Sequence, residues 1–222
     1  MIQSIVKKIR KQPYFFLLYF AFLSFLVVIL CKYSKTDATL WANQYWSPFQ
    51  DVMYKYMTYL GDFWMASIVV IVLLFWKFKY AIIAIVSFGT TALIAQFLKK
   101  IIYYDVERPL IEMWKQMHDG TLHTVVDEAD QLIHYSFPSG HTTSAFSIFC
   151  ILALLSKKKW IGFVSIVFAI LIGYSRVYLC QHFYEDVFVG SLIGGIGSLL
   201  IYSFFENKKF GNWGEKSLLK LK

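Results

Sequence analysis

The chain alternates between long apolar runs and short polar segments. Six apolar runs cover residues 14–31, 59–76, 80–98, 142–155, 161–179 and 187–205. A helix needs about 20 apolar residues to cross the hydrocarbon core of a bilayer. Five runs approach that length, and the fourth does so if its helix begins at Ser139. The pattern predicts an all-α polytopic membrane protein with six transmembrane helices.

Composition supports a membrane protein and argues against a nucleic-acid binder. The hydrophobic fraction is 58%, against roughly 45–50% in soluble domains. The net charge is +8. The basic residues form short clusters between apolar runs, as orientation signals do, and they do not form the single stripe expected of a nucleic-acid-binding surface. The three cysteines show no paired spacing, so the sequence predicts neither a disulfide framework nor a metal site built on cysteine.

The first 58 residues combine a basic start, an apolar run and a mixed segment. Residues 1–13 followed by the first run are similar to a signal peptide, but no cleavage site of the Ala-x-Ala type follows. We therefore expect a retained first transmembrane helix. Residues 32–58 mix charges with Trp and Tyr, which is typical of a segment at the membrane interface.

Charge distribution predicts the orientation of the chain. The N-terminal segment, residues 77–79, residues 157–159 and the tail 206–222 hold 14 of the 22 Lys and Arg residues. These four segments lie on one side if there are six spans. Basic loops are retained in the cytoplasm, so we expect both termini there. The remaining polar segments then meet at the outer surface, although they are far apart in sequence.

The segment 175–186, SRVYLCQHFYED, places several ionisable groups beside an apolar run. Such groups at membrane depth indicate a functional site. A helix would put His182 and Asp186 on one face, where the carboxylate fixes the tautomer of the ring and makes its other nitrogen a better nucleophile. Arg176 adds a planar donor fork suited to phosphate. The alternative is a polar cluster that only anchors a helix end.

Two further segments carry candidate chemistry. In Pro138-Ser139-Gly140-His141, the serine predicts a helix start whose free amides form an anion site, with His141 beside it. A plain helix cap is the alternative. Arg108 follows Lys99 and Lys100, which alone would be read as interfacial anchors. Two histidines, two arginines and a lysine around a helix N-terminus suit a tetrahedral phosphate.

These motifs, in the order Lys…Arg-Pro, PSGH and SR-x5-H-x3-D, resemble those of the type 2 phosphatidic acid phosphatase (PAP2) superfamily. That superfamily includes membrane lipid phosphatases and soluble vanadium haloperoxidases. The resemblance covers about residues 59–205, which implies a PAP2-like helical bundle as the catalytic membrane domain, followed by a basic cytoplasmic tail at 206–222. The haloperoxidase branch is not expected, because soluble enzymes would not carry six apolar spans.

The first motif departs from the family pattern, which is written K-x6-RP. Here seven residues separate Lys100 from Arg108, and eight separate Lys99 from Arg108. The extra residues require the helix end to bend or loop, because each added residue rotates the side chain by about 100°. We expect Lys100, and not Lys99, to face the site.

The resemblance implies a role for each site residue. His182 would be the nucleophile that forms a phosphohistidine, Asp186 would orient it, and His141 would protonate the leaving group. The phosphate-binding groups would be Lys100, Arg108, Arg176, Ser139 and Gly140. No metal and no cofactor are expected, because fixed cations and amides take over the electrostatic role of a metal.

The acidic segment 112–134 contains His118, His123 and His134 together with Asp119, Asp127, Glu128 and Asp130. Their scattered spacing favours a solvated lid over a divalent-metal site.

The sequence thus predicts a lipid phosphatase of the bacterial inner membrane with its site on the outer face. Candidate substrates are undecaprenyl diphosphate, phosphatidylglycerol phosphate, phosphatidate and lipid A. A phosphotransferase with the same residues is one alternative, and a small transporter or scaffold is another. The sequence does not define the oligomeric state.

Overall fold

The computed structural model describes residues 2–125, 133–208 and 210–220. The fold of these residues is all-helical. The α-helices are α1 (Ile2–Lys11), α2 (Pro13–Lys32), α3 (Lys35–Asn43), α4 (Pro48–Met57), α5 (Phe63–Trp76), α6 (Phe78–Phe97), α7 (Pro109–Glu112), α8 (Trp114–His118), α9 (Gly140–Leu155), α10 (Lys159–Tyr178), α11 (Tyr184–Phe205) and α12 (Gly211–Gly214). Short 3-10 helices span Thr58–Gly61 and Leu218–Lys220, and a π-helix, Leu98–Ile102, extends α6.

Four helical segments are long and apolar enough to cross a membrane, namely α2, α6 with its π-helical extension, α10 and α11. A fifth is a broken pair, Pro48–Gly61 with Phe63–Trp76, bent by 55°. The break falls at Asp62, whose extended backbone ends the 3-10 helix and begins α5. Because α9 has 16 residues, it is shorter than a full span. The chain is therefore a multi-pass membrane protein with four or five candidate spans.

The central helix of the bundle is α9, which packs against α6, α10 and α11. It begins at Gly140 as expected, with Ser139 as its N-cap. Small residues on α11 allow close packing between helices. A side chain at Gly190 would place its Cβ 2.7 Å from the Ser139 carbonyl oxygen. This close approach fixes the start of α9 against the first half of α11.

The interfacial segment folds into the short helices α3 and α4, capped by Ser34 and Ser47. It holds the polar segment that follows Arg108. The Asn43 side chain donates to the His123 carbonyl and accepts from its backbone N–H, both at 2.7 Å. The His123 ring pairs with Asp51 at 3.1 Å, so it takes part in this attachment.

The acidic segment 112–134, which we expected to form a solvated lid, lies partly outside the described residues. Asp127, Glu128 and Asp130 are among these undescribed positions. Within the described part, Lys35 of α3 forms a salt bridge of 2.6 Å with Glu112 at the end of α7. The first part of the polar segment is therefore held against α3 by charge as well as by hydrogen bonds.

Candidate active site

The predicted site residues converge at one end of the bundle, although they come from three separate motifs. This end is formed by the last turns of α6 and α10, the first turns of α9 and α11, and the segment around Arg108. They surround a cavity of about 1300 Å³. The ionisable groups in its wall include Lys99, Lys100, Arg108, His141, Arg176 and His182.

His182 and Asp186 form a buried pair, but not on one helical face. Phe183 is the N-cap of α11, so His182 precedes the helix and Asp186 lies in its first turn. Asp186 Oδ2 is 3.1 Å from His182 Nδ1 and accepts from the Phe183 backbone N–H at 2.9 Å. The carboxylate thus caps the helix and engages Nδ1, which leaves Nε2 of His182 for chemistry.

Ser136 is a site residue that sequence reasoning missed. Its hydroxyl donates to Asp186 Oδ2 at 2.5 Å and lies 3.5 Å from His182 Nδ1. Ser136 is fully buried. It lies two residues before Pro138, outside the PSGH motif, and only the fold brings it to Asp186. Its hydrogen bond fixes the carboxylate that orients His182.

The environment of His182 favours the neutral ring. Burial, and then the charges of Lys99, Arg108 and Arg176, hold the pKa of His182 well below its ordinary value. Its exposed fraction is 1%. A neutral imidazole with one nitrogen bonded to a carboxylate is the form required of a nucleophile.

The PSGH motif forms the N-terminus of α9 as predicted, and the side chain of Ser139 caps this helix. The buried Ser139 hydroxyl accepts from the Thr142 N–H at 3.4 Å and from the Thr142 hydroxyl at 2.9 Å. Its backbone N–H donates to the Asp186 carbonyl at 3.1 Å. Gly140 and His141 line the cavity. The Ser139 hydroxyl accepts in both bonds of this cap, so its own O–H is not used by them, and the expected contact of the side chain with phosphate stays a prediction.

His141 has a carboxylate partner that the sequence did not indicate. Its Nε2 is 2.6 Å from Asp62 Oδ1, at the break between the 3-10 helix and α5. Both side chains are about one-third exposed to the cavity side, at 31% for His141 and 29% for Asp62. The pair joins the first turn of α9 to the broken span.

The two arginines are buried and are oriented by neutral oxygens. Arg108 Nε donates to the His134 carbonyl at 3.1 Å, and its Nη1 donates to the Gln181 carbonyl at 3.3 Å. Burial lowers the pKa of Arg108, and the nearby Asp186 charge opposes this effect. Arg176 donates from Nη1 to the Thr58 hydroxyl. Since neither arginine forms an ion pair within the described residues, their charge is available to an anion in the cavity.

The structure distinguishes the two lysines by their burial, although both line the cavity. Lys99 is 9% exposed, whereas Lys100, which we expected to face the site, is exposed. Both lie in the π-helix, where a π turn accommodates one extra residue and rotates the residues that follow it. The Lys99 ammonium makes no hydrogen bond or ion pair in the described parts of the chain, and it acts electrostatically on both Asp186 and His182.

The cavity continues from these charges into an apolar groove between α5 and α6. Val70 and Ile71 of α5 face Ile85 and Phe88 of α6 along it. Gly89 also lines the groove, and a Cβ added there would meet no atom within 4 Å. The groove therefore has room beside Gly89 for part of an apolar chain. Within residues 2–125, 133–208 and 210–220, no group of three or more His, Cys, Asp or Glu side chains is arranged to hold a metal ion.

Comparison with known proteins identifies the family. The model of the PAP2 superfamily matches residues 80–210, more than half of the chain. The chain belongs to the PAP2 superfamily. It is 28% identical over 151 residues to undecaprenyl-diphosphatase BcrC of Bacillus subtilis, a match that covers 65% of this chain and 70% of that protein. It is 38% identical over 90 residues to phosphatidylglycerophosphatase B of Bacillus subtilis, covering 35% of this chain and 44% of that protein.

Solved structures show the same PAP2 fold. The crystal structure of Aquifex aeolicus LpxE aligns with a TM-score of 0.64 and 28% identity, over 74% of this chain and 92% of that one. The Bacillus subtilis transmembrane PAP2-type phosphatidylglycerolphosphate phosphatase aligns with a TM-score of 0.63 and 25% identity, over 90% of this chain and 99% of that one. The chain is accordingly a membrane lipid phosphatase, a hydrolase of phosphate esters or diphosphates.

Proposed function

We propose that this PAP2 enzyme hydrolyses a lipid-linked phosphate monoester or diphosphate through a phosphohistidine on His182. One observation carries the proposal: a single cavity contains both histidines and the cations, and continues into an apolar groove. A phosphate at the charged end and a lipid chain along α5 and α6 would occupy both parts at once. A soluble phosphate ester would leave the groove empty.

The first step is the attack of His182 Nε2 on the phosphorus atom. Asp186 holds Nδ1, so the ring presents its other nitrogen to the substrate. Lys99, Arg108 and Arg176 offset the charge on the phosphoryl oxygens, and the backbone amide of Gly140 adds a donor at the start of α9. The bond to the leaving oxygen breaks as the P–N bond forms.

In this first step a proton from His141 goes to the leaving oxygen, which departs as an alcohol or a phosphate. The second step returns the enzyme to its starting form. Water then attacks the phosphohistidine and gives its proton to His141, and the P–N bond breaks to release inorganic phosphate. The balance of the two steps requires water as the only co-substrate.

We further propose six spans, with both termini in the cytoplasm of a bacterium and the site on the outer face of the inner membrane. In this topology α9 is the short fourth span, and residues 59–205 form the catalytic domain. The charge distribution supports this orientation. Lys8 of α1 forms an ion pair with Glu206 beyond α11, so the two ends of the chain lie at one end of the bundle.

A phosphate-release panel with the purified enzyme in detergent tests the activity and ranks the substrates. The panel contains undecaprenyl diphosphate, phosphatidylglycerol phosphate, phosphatidate and lipid A, each with and without EDTA. We expect phosphate release from at least one lipid, no effect of EDTA, and none of this release in His182→Ala. Equal turnover by His182→Ala would overturn the phosphohistidine, and transfer of phosphate to another lipid in place of its release would indicate a phosphotransferase.

A further inference from the structure

The 3-10 helix at the broken span reaches the catalytic end of the bundle. It covers Thr58–Gly61 and is followed directly by Asp62. Its close packing is enforced at Gly61, where an added Cβ would lie 2.9 Å from the His141 carbonyl oxygen. Asp62 is therefore held beside the first turn of α9 by backbone contact as well as by its own side chain.

This short segment contacts two groups of the site. Thr58 accepts a hydrogen bond from the guanidinium of Arg176, and Asp62 Oδ1 lies 2.6 Å from His141 Nε2. Thr58 is neutral, so it orients Arg176 without reducing its charge. Asp62 is charged, and its effect on His141 is electrostatic as well as geometric.

The charges around His141 explain why a carboxylate is needed there. Arg176 of α10 and Lys99 of the α6 extension both act on the ring, and His182 is a further titratable neighbour. Burial is the largest factor that favours the neutral imidazole, and the two cations act in the same direction, whereas the hydrogen bond and the charge of Asp62 favour the protonated ring. A neutral imidazole is a poor proton donor to an alkoxide. The carboxylate paired with His141 belongs to Asp62, whereas Asp186 pairs with His182.

We propose that Asp62 is a positioning residue that holds His141 in its protonated form, ready to protonate the leaving group. This inference rests on the proposed function. In the reaction, the imidazolium of His141 gives one proton to the departing oxygen as the bond from phosphorus to that oxygen breaks. His141 becomes neutral while Asp62 remains ionised and hydrogen-bonded to it. The water that attacks the phosphohistidine returns the proton to His141.

The dependence of rate on the leaving group tests this role. Asp62→Asn keeps the size of the side chain and removes its charge. The substrates are a long-chain alkyl phosphate and a nitrophenyl phosphate that carries the same chain, because only the alkoxide needs protonation as it leaves. We expect kcat to fall about 10²-fold for the alkyl ester and less than about tenfold for the nitrophenyl ester. Asp62→Glu should recover part of the alkyl activity.

Two comparisons separate this role from a structural one. Asp105→Asn removes an exposed carboxylate before Arg108 and should leave both rates unchanged. Asp62→Asn combined with His141→Ala should be no slower than His141→Ala alone, because Asp62 acts through His141. Equal losses on both esters, or additive losses in the double variant, would overturn the proposal.

A second measurement does not depend on turnover. The 15N NMR spectrum of histidine-labelled enzyme reports the protonated fraction of His141, whose signal is identified by its absence in His141→Ala. We expect this fraction at neutral pH to fall in Asp62→Asn and to be restored in Asp62→Glu. An unchanged fraction would overturn the role of Asp62. Failure of the wild-type enzyme on both esters would instead contradict the proposed function, and the NMR comparison would still decide on Asp62.

Discussion

Asp186 Oδ2 lies 3.1 Å from His182 Nδ1, and the same oxygen accepts hydrogen bonds from the Phe183 backbone N–H and the Ser136 hydroxyl. One carboxylate oxygen therefore caps α11 and fixes the ring of His182. Asp186 as a residue has an exposed fraction of 0%. Three bonded groups hold this oxygen in place, so the position of the ring is coupled to the start of α11.

Asp186→Asn should reduce kcat by about 10²-fold or more with a small effect on KM, because the amide no longer selects the tautomer with Nε2 free. His182→Ala should abolish turnover. Rapid mixing with a 32P-labelled lipid substrate, followed by an alkaline quench, should capture phosphohistidine in the wild type and none in His182→Ala.

The matched control is Glu185→Gln, which changes the neighbouring carboxylate in the same turn of α11. It should retain nearly full activity. If Asp186→Asn is as active as this control, the carboxylate of Asp186 serves the helix cap and not the nucleophile.

The two lysines at the end of α6 provide a second prediction. Lys99 is buried among the cations, and Lys100 is exposed. Lys99→Ala should lower kcat by about 10²-fold, since its charge opposes the charge that grows on the phosphoryl oxygens. Lys100→Ala should change kcat by less than about threefold, because an exposed ammonium is well solvated. Steady-state kinetics of both variants on one lipid would check this, and a greater loss in Lys100→Ala would contradict it.

These lysines also show how far sequence reasoning extends. Hydrophobic runs predicted the helices, because the cost of burying polar backbone in a bilayer leaves few other structures. The motifs indicated His141, His182, Asp186, Arg108 and Arg176. The sequence could not decide between Lys99 and Lys100, because their relative burial depends on a π turn, which has no simple sequence signal.

The same limit applies to Ser136 and Asp62. Ser136 donates a hydrogen bond to Asp186, the partner of His182, and Asp62 pairs with His141. Each of the two residues lies outside the family motifs. Their contacts depend on the angle of a loop and on a 55° break in a span, and neither is encoded by periodicity. The motif position of Ser139 predicted both a helix cap and a phosphate contact; the structure shows the cap, and the phosphate contact stays a prediction.

Acid should destabilise the enzyme through His182. Its pKa in the folded protein lies well below the ordinary value of 6.5, so the unfolded chain binds a proton that the folded chain does not. Stability from this group is therefore present above about pH 6.5 and decreases as the pH falls below it, by up to about 1.4 kcal/mol per pH unit. His182→Gln removes this contribution, so its free energy of unfolding should fall less between about pH 6.5 and pH 5. Equal acid sensitivity of the two proteins would contradict the low pKa.

The orientation of the chain is testable with cysteines introduced at Val125 and Lys158. The background is Cys31→Ala, because Cys31 is exposed while Cys150 and Cys180 are buried. Val125 lines the catalytic cavity, and Lys158 lies in the basic loop before α10. In intact spheroplasts, a membrane-impermeant thiol reagent should label Val125→Cys, and Lys158→Cys only after permeabilisation. The opposite pattern would place the catalytic site in the cytoplasm.

The last prediction is that the lipid chain of the substrate lies in the groove between α5 and α6. Leucine at Gly89 would fill open space, because an added Cβ meets no atom within 4 Å and the helix gains stability from the substitution. If the chain of the substrate lies there, Gly89→Leu displaces about two methylenes, each worth about 0.8 kcal/mol of burial. KM for a long-chain lipid phosphate should then rise about tenfold, while kcat/KM for a short-chain ester of the same headgroup stays the same. Thr90→Leu places the same leucine side chain at the next, exposed position of α6, which does not line the cavity, and should leave both substrates unaffected. An unchanged KM in Gly89→Leu would mean that the lipid chain lies elsewhere and that the groove does not select the substrate.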